Sequence, residues 1–156
     1  MQNRFVVIVG AVSCALGLVS CSSGPANSPQ PKGSLPIVTA EVIVNGQPAG
    51  TTHEIKCSQD GWNHTFETGN KDSGVTMVVD TEKAPIARSV TLNNIGGFTG
   101  TAWQYQQADN SWTNQMGEST ATVIGTTFKV SGTAKGADTA DPNKGTDATF
   151  EVRVNC

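Results

Sequence analysis

The chain has 156 residues, 37% hydrophobic but only 6% aromatic, with 17 Gly, 7 Pro and 4 Cys. Ten Lys and Arg against thirteen Asp and Glu give a formal net charge of −3. No basic cluster is present that would follow a phosphate backbone, which excludes nucleic acid as a partner. The length allows one domain with a modest core.

Residues 1–20 read as a secretory leader. Arg4 precedes an apolar stretch from Phe5 to Val19, and Leu18-Val19-Ser20-Cys21 is the pattern in which cleavage comes before a cysteine that is then acylated. The stretch is about 15 residues, short of the roughly 20 that a spanning helix needs, so the chain is expected to be anchored to a membrane rather than to cross it. Mature protein would begin at Cys21, with a diacylglyceryl group on the thiol and a further acyl chain on the amine. Two or three chains, at about 0.8 kcal/mol per buried methylene, hold a small domain on a bilayer. Ordinary secretion with cleavage nearby is the alternative. Loss of the leader removes Arg4 and leaves a net charge of about −4 on 136 residues.

From Ser22 to Pro36 the sequence SSGPANSPQPKGSLP holds four Pro, four Ser and two Gly. It cannot bury enough apolar surface to repay its ordering entropy, so residues 21–36 are predicted to be a flexible tether with a reach of about 45 Å. Its serines are candidate acceptors of O-linked sugar.

Residues 37–156 carry short β-rich runs separated by Gly, Asn and Asp. Ile37–Val44 leads into Asn45-Gly46, a strong hairpin signal, and Thr52–Ser58 is predicted to pair with it. Further strands are predicted at Trp62–Thr68, Val75–Asp80, Ser89–Asn93, Thr99–Gln106, Thr120–Ile124, Thr127–Thr133 and Thr149–Asn155. The spacing describes a mainly β, antiparallel, sandwich-like single domain. Phe150, Val152 and Val154 share one strand face, and Phe128 and Val130 share another. With Val42, Val44, Met77 and Val79 they are the predicted core. Gly96-Gly97 reads as a turn. Lys135–Asp147 is predicted to be a long polar loop with a helical turn near Asp141-Pro142.

Of the four cysteines, Cys14 belongs to the leader and Cys21 to the anchor. Cys57 and Cys156 remain, and in an exported chain they read most simply as one disulfide. Two free thiols acting as metal ligands or as a redox couple would be the alternative, but they lack a C-x-x-C spacing.

The order of a lipobox, a Ser/Pro-rich tether, a hairpin leading to Cys57, the stretch KVSGTAKGAD and the terminal FEVRVNC resembles the LpqH-type 19-kilodalton lipoprotein antigen family of mycobacteria. The likeness is strongest over Phe128–Cys156 and looser over Gly69–Ser119, where Trp103, Tyr105 and Trp112 stand in place of expected small residues. The resemblance implies a non-enzymatic, β-rich envelope lipoprotein, displayed on the extracytoplasmic face of the cell membrane and often glycosylated in its tether. Host Toll-like receptor 2 would sense it through its acyl chains. It also implies lipid attachment at Cys21 and a disulfide between Cys57 and Cys156, with a ligand-carrying role suggested for some members.

Several clusters carry candidate chemistry. His53, Cys57 and His64 approach a zinc ligand set, but a tetrahedral site would need Cys57 free. Asp138, Asp141, Asn143 and Asp147 offer calcium-type oxygens without the EF-hand spacing or its closing Glu. Surface or turn roles are preferred for both groups, and no metal or cofactor is expected. No nucleophile elbow, H-E-x-x-H or phosphate loop occurs, so no enzyme activity is expected. Trp103 and Tyr105 fall on one face of a predicted strand, and Trp112 returns after the Asp109-Asn110 turn. Rings among amides suit a lipid or glycan ligand. The preferred reading is that they complete a core poor in aromatics.

Overall fold

The computed structural model describes residues 30–156, which form eleven antiparallel strands and no helix. The leader, Cys21 and the tether as far as Pro29 lie outside the described residues. The strands are β1 (Thr39–Val44), β2 (Gln47–Thr52), β3 (Ile55–Asp60), β4 (Asn63–Gly69), β5 (Gly74–Asp80) and β6 (Ile86–Ile95). They continue as β7 (Phe98–Gln106), β8 (Trp112–Met116), β9 (Glu118–Ile124), β10 (Thr127–Asp138) and β11 (Asp141–Asn155). One sheet runs β2-β1-β11-β10-β7-β6-β5-β4-β3 and curls almost into a barrel.

Alternation builds the interior. Val42, Val152, Val130 and Ala121 lie in one cross-strand row, and Phe66, Met77, Val90 and Ala102 in another. All but the partly buried Ala121 are fully enclosed. Phe66 meets Phe128 of β10 at 4.7 Å between ring centres, so the two halves of the curled sheet face each other. The predicted core residues Val42, Val44, Met77, Val79, Val130, Phe150, Val152 and Val154 are all buried, with Phe128 half-buried beside them. Outward positions carry polar residues, including the Glu41–Arg153 pair at 2.9 Å across β1 and β11.

The sheet curls because β10 changes partner along its length. Its first part, Thr127–Thr133, pairs with β9, and its last part, Lys135–Asp138, pairs with β7. β7 in turn leaves β10 to pair with β8. The wedge so opened is filled by β8 and β9, which are joined through Gly117 at φ 61. A Cβ on Gly117 would lie 2.2 Å from the Thr133 carbonyl oxygen, so this corner admits only glycine.

Three sequence expectations are corrected here. Asn45-Gly46 does form a hairpin turn, with both residues at positive φ, but its second strand is β2. The expected partner, the Cys57 segment, becomes β3 and pairs with β4. Gln47–Thr52 (QPAGTT) has no apolar alternation because it is an exposed edge strand, which is where Pro48 is tolerated. Lys135–Asp147 is not a loop with a helical turn. It extends the β10–β11 hairpin to a tip at Thr139-Ala140, its small residues allowing close strand approach.

The third correction concerns the end of the tether. Leu35 is buried, and its amide donates to Thr127 Oγ1 at 2.8 Å while its carbonyl accepts from Asn155 Nδ2 at 2.6 Å. The Gly33 carbonyl accepts from the Arg153 guanidinium. Residues 30–36 are therefore seated on the domain over the ends of β10 and β11, where composition alone gave a free linker.

Candidate functional site

The outer face of the β4–β8 half is mostly hydroxyl-bearing, as a solvated sheet face should be. The exception lies on β7. Ala102 points inward and is fully buried, so alternation turns Trp103 and Tyr105 outward. They are 39% and 54% exposed. The preferred expectation, that these rings complete the core, is thus overturned: the interior is filled instead by valines, Met77 and the rings of Phe66, Phe98 and Phe150.

Trp112 is placed by the β7–β8 hairpin, directly across from Gln106. The hairpin turn is fixed by Asp109, whose Oδ1 accepts from the Ser111 amide at 2.9 Å and the Ser111 hydroxyl at 2.6 Å. These two hydrogen bonds hold the Asp109 carboxyl below its usual pKa. Asn110 supplies the left-handed residue of the turn at φ 64.

Arg88 completes the arrangement and was not legible in the sequence. It sits at a bulge in β6, where the register against β5 shifts between Val78 and Val79. Its Nη1 donates to Asn63 Oδ1 at 2.7 Å, and its guanidinium lies 5.3 Å from the centre of the Trp112 ring. Beneath the strand, Gln104 Nε2 donates to the Ser119 carbonyl at 2.8 Å, and the Ser119 hydroxyl donates to the Ala87 carbonyl at 3.1 Å. This buried chain ties β7 to β9 and β6 and holds the strand that carries the two exposed rings.

The three rings, Arg88 and Gln104 border an open groove of about 820 Å³. Trp103, Tyr105 and Trp112 come to it from β7 and β8, Asn63, Thr65 and Ser89 from β4 and β6, and Arg88 of β6 lies over Trp112. The groove is amphipathic: apolar ring surface faces a row of hydroxyl and amide groups.

The other sequence candidates are dispersed or already engaged. Cys57 and Cys156 form a disulfide across 99 residues, with their Cα atoms 6.5 Å apart. It joins edge strand β3 to the end of β11. His53 Nδ1 lies 2.7 Å from the Val38 carbonyl, and His64 Nε2 lies 3.2 Å from Thr81 Oγ1. With Cys57 oxidised, the three do not make a ligand set. In the hairpin tip, Asp138 caps the turn by accepting from the Ala140 amide at 2.8 Å, and Asp147 pairs with Lys135 at 3.7 Å.

Comparison with known proteins places the fold in context. A family model described as Mycobacterium 19 kDa lipoprotein antigen matches residues 34–156. The chain is 37% identical over 157 residues to a putative lipoprotein of Mycobacterium indicus pranii, covering 100% of both chains. It is 30% identical to a putative lipoprotein of Mycobacterium avium subsp. hominissuis, covering 100% of this chain and 97% of that one. It is also 27% identical to the lipoprotein LpqH of Mycobacterium tuberculosis, over 97% of this chain and 96% of the relative.

Proposed function

The chain belongs to the Mycobacterium 19 kDa lipoprotein antigen family, and from that premise we propose that it is a lipid-anchored envelope antigen held through acylated Cys21 on the extracytoplasmic face of the cell membrane. The observation that carries this reading is the lipobox Leu18-Val19-Ser20-Cys21 at the head of a chain that matches a putative lipoprotein over the full length of both. The role is non-catalytic: the names of the family and of these relatives describe a lipoprotein and no reaction. Its acyl chains are the part that host Toll-like receptor 2 engages.

The seated segment 30–36 shortens the tether. Only eight residues lie between Cys21 and Gln30, a span of at most about 30 Å of extended chain. Fifteen free residues would have reached about 45 Å. The domain is held within roughly one domain diameter of the bilayer.

The test is the intact mass of protein purified from its native membrane. The expected mass begins at Cys21 with acyl chains added, and hexose increments would report sugar on the tether serines. Cys21→Ala should abolish both membrane retention and receptor signalling. Signalling by lipid-free Cys21→Ala protein would overturn the receptor role, and an unacylated native mass would overturn the anchor.

The exposed groove of Trp103, Tyr105 and Trp112 favours a second role beside the first, as a binding module. Two exposed aromatic rings on a solvated sheet face, with the half-buried Trp112 beside them, are costly to leave in water unless something covers them.

A further inference from the structure

We propose that the groove over β4–β8 is a glycan site that takes an uncharged polysaccharide segment, its sugar faces stacked on Trp103 and Tyr105. The proposal rests on the binding-module reading and names the ligand class for it.

The first argument is the spacing of the rings. Trp103 and Tyr105 are two residues apart on β7, which puts them about 6.8 Å apart along one face. They form a two-ring pad that is rigid because Gln104, between them, is pinned to the Ser119 carbonyl underneath. A sugar ring presents C–H groups on its faces and hydroxyls on its rim, so it needs a flat apolar surface bordered by hydrogen-bonding groups. The register supplies that border. Ser89 lies directly across from Trp103, and Thr65 continues the same row through Val78. Thr101, two residues before Trp103, also lines the groove and donates its hydroxyl to the Val90 carbonyl at 2.8 Å, so its oxygen has acceptor capacity left.

The second argument is charge. Arg88 already donates to Asn63 and stacks on Trp112, and Asp60 also lines the groove. One cation and one carboxylate leave the site close to neutral, which disfavours a strongly charged ligand of either sign. A fatty acyl chain fits poorly as well. It would cover the Thr65 and Ser89 hydroxyls without offering them a hydrogen bond. An open groove also leaves much of such a chain in water. A glycan matches both kinds of surface at once.

The test uses the full acylated chain in phospholipid nanodiscs, titrated calorimetrically with hexasaccharides of glucose, mannose, galactose and arabinose, and separately with octanoate. At least one hexasaccharide should bind. Trp103→Ala and Tyr105→Ala should each weaken it about tenfold or more, in line with the loss of one stacking surface. Trp62→Ala is the control, because Trp62 is 60% exposed at the β3–β4 turn and is no part of the groove. It should leave the affinity unchanged. Both groove rings lie on the outer face of the sheet, so their variants should remain folded, which thermal unfolding verifies. Binding that survives both substitutions, or falls equally with Trp62→Ala, overturns the site. Octanoate binding that depends on Trp103, with no hexasaccharide bound, overturns the ligand class and leaves the binding module standing. No binding to any probe overturns both. Trp103-dependent self-association without sugar binding would make the groove an interface between copies of the chain and overturn the glycan site.

Discussion

The amide of Leu35 donates to the hydroxyl of Thr127 at 2.8 Å, a contact made across 92 residues between the end of the tether and the start of β10. Leu35 is buried and Thr127 fully so. The tether therefore ends in a side chain that plugs the domain, with the hydroxyl satisfying a backbone donor that would otherwise be buried alone. Leu35→Ala should weaken the seating of residues 30–36 by about 2–4 kcal/mol. Limited proteolysis would read this as new cleavage between Gln30 and Pro36. Because the seating is local, the global unfolding midpoint should fall by less than a core truncation such as Val152→Ala would cause.

The disulfide ties edge strand β3 to Cys156, the residue after Asn155, which itself bonds the Leu35 carbonyl. Strand β3 pairs only with β4, so apart from that ladder it is held by Cys57 linked to Cys156. A bridge closing about 100 residues has a chain-entropy ceiling of roughly 4.7 kcal/mol. Replacing both cysteines by Ser should lower stability by about 2–4 kcal/mol. Hydrogen exchange should show amide protection lost first in β3 and β4, while the β10–β11 hairpin stays protected. Uniform loss of protection through every strand would show that the bridge stabilises the whole curl rather than its seam.

Alternation in the sequence disclosed which residues share a face, and this was enough to find most strands and a correct core. It did not disclose which face of β7 is inside. Trp103 and Tyr105 illustrate the gap: their pairing on one side of β7 was legible, but their exposure depends on Ala102 being the inward residue, and small residues carry little hydropathic signal. Strand β2 escaped because it is an exposed edge whose small Ala49 packs on the core and leaves no apolar alternation. The far half of the β10–β11 hairpin escaped because Gly, Ala and Thr there serve close approach rather than burial. Arg88 could not be assigned at all, since its direction comes from a bulge that only the pairing with β5 reveals. The seating of Leu35 was hidden by the Pro and Ser around it.

Gly117 is the residue on which the corner turns. Its φ of 61 is unfavourable for a side chain, and an added Cβ would meet the Thr133 carbonyl oxygen at 2.2 Å and the Ala102 methyl at 3.1 Å. Gly117→Ala should cost about 2–4 kcal/mol, more than the 0.5–1 kcal/mol gain that a compatible glycine-to-alanine change brings. Chemical denaturation would measure it. Gly46→Ala makes a useful comparison: it shares a positive φ, but a Cβ there meets nothing within 4 Å. It should cost about 1–2 kcal/mol from backbone conformation alone. Equal costs at the two sites would mean that the corner relaxes around the methyl group.

The hairpin that carries Trp112 should respond to pH through Asp109. Its carboxylate accepts two hydrogen bonds from Ser111, which hold its pKa below the ordinary 3.8. A carboxyl whose folded pKa is depressed contributes stability above its unfolded pKa, and that contribution is lost as pH falls through the folded value. The turn should therefore be unchanged from pH 8 down to about 5, and should loosen only below about pH 4. Asp109 is fully exposed, so the effect stays confined to the turn and should leave global stability nearly untouched. Amide chemical shifts of Asn110 and Ser111 followed by NMR from pH 7 to 2 would show the transition. Asp109→Asn keeps an acceptor oxygen but removes the titration, so its shifts should be flat over that range. A transition at Asn110 and Ser111 that persists in Asp109→Asn would assign it to another group. A transition above pH 5 in the wild-type chain would contradict the depressed pKa.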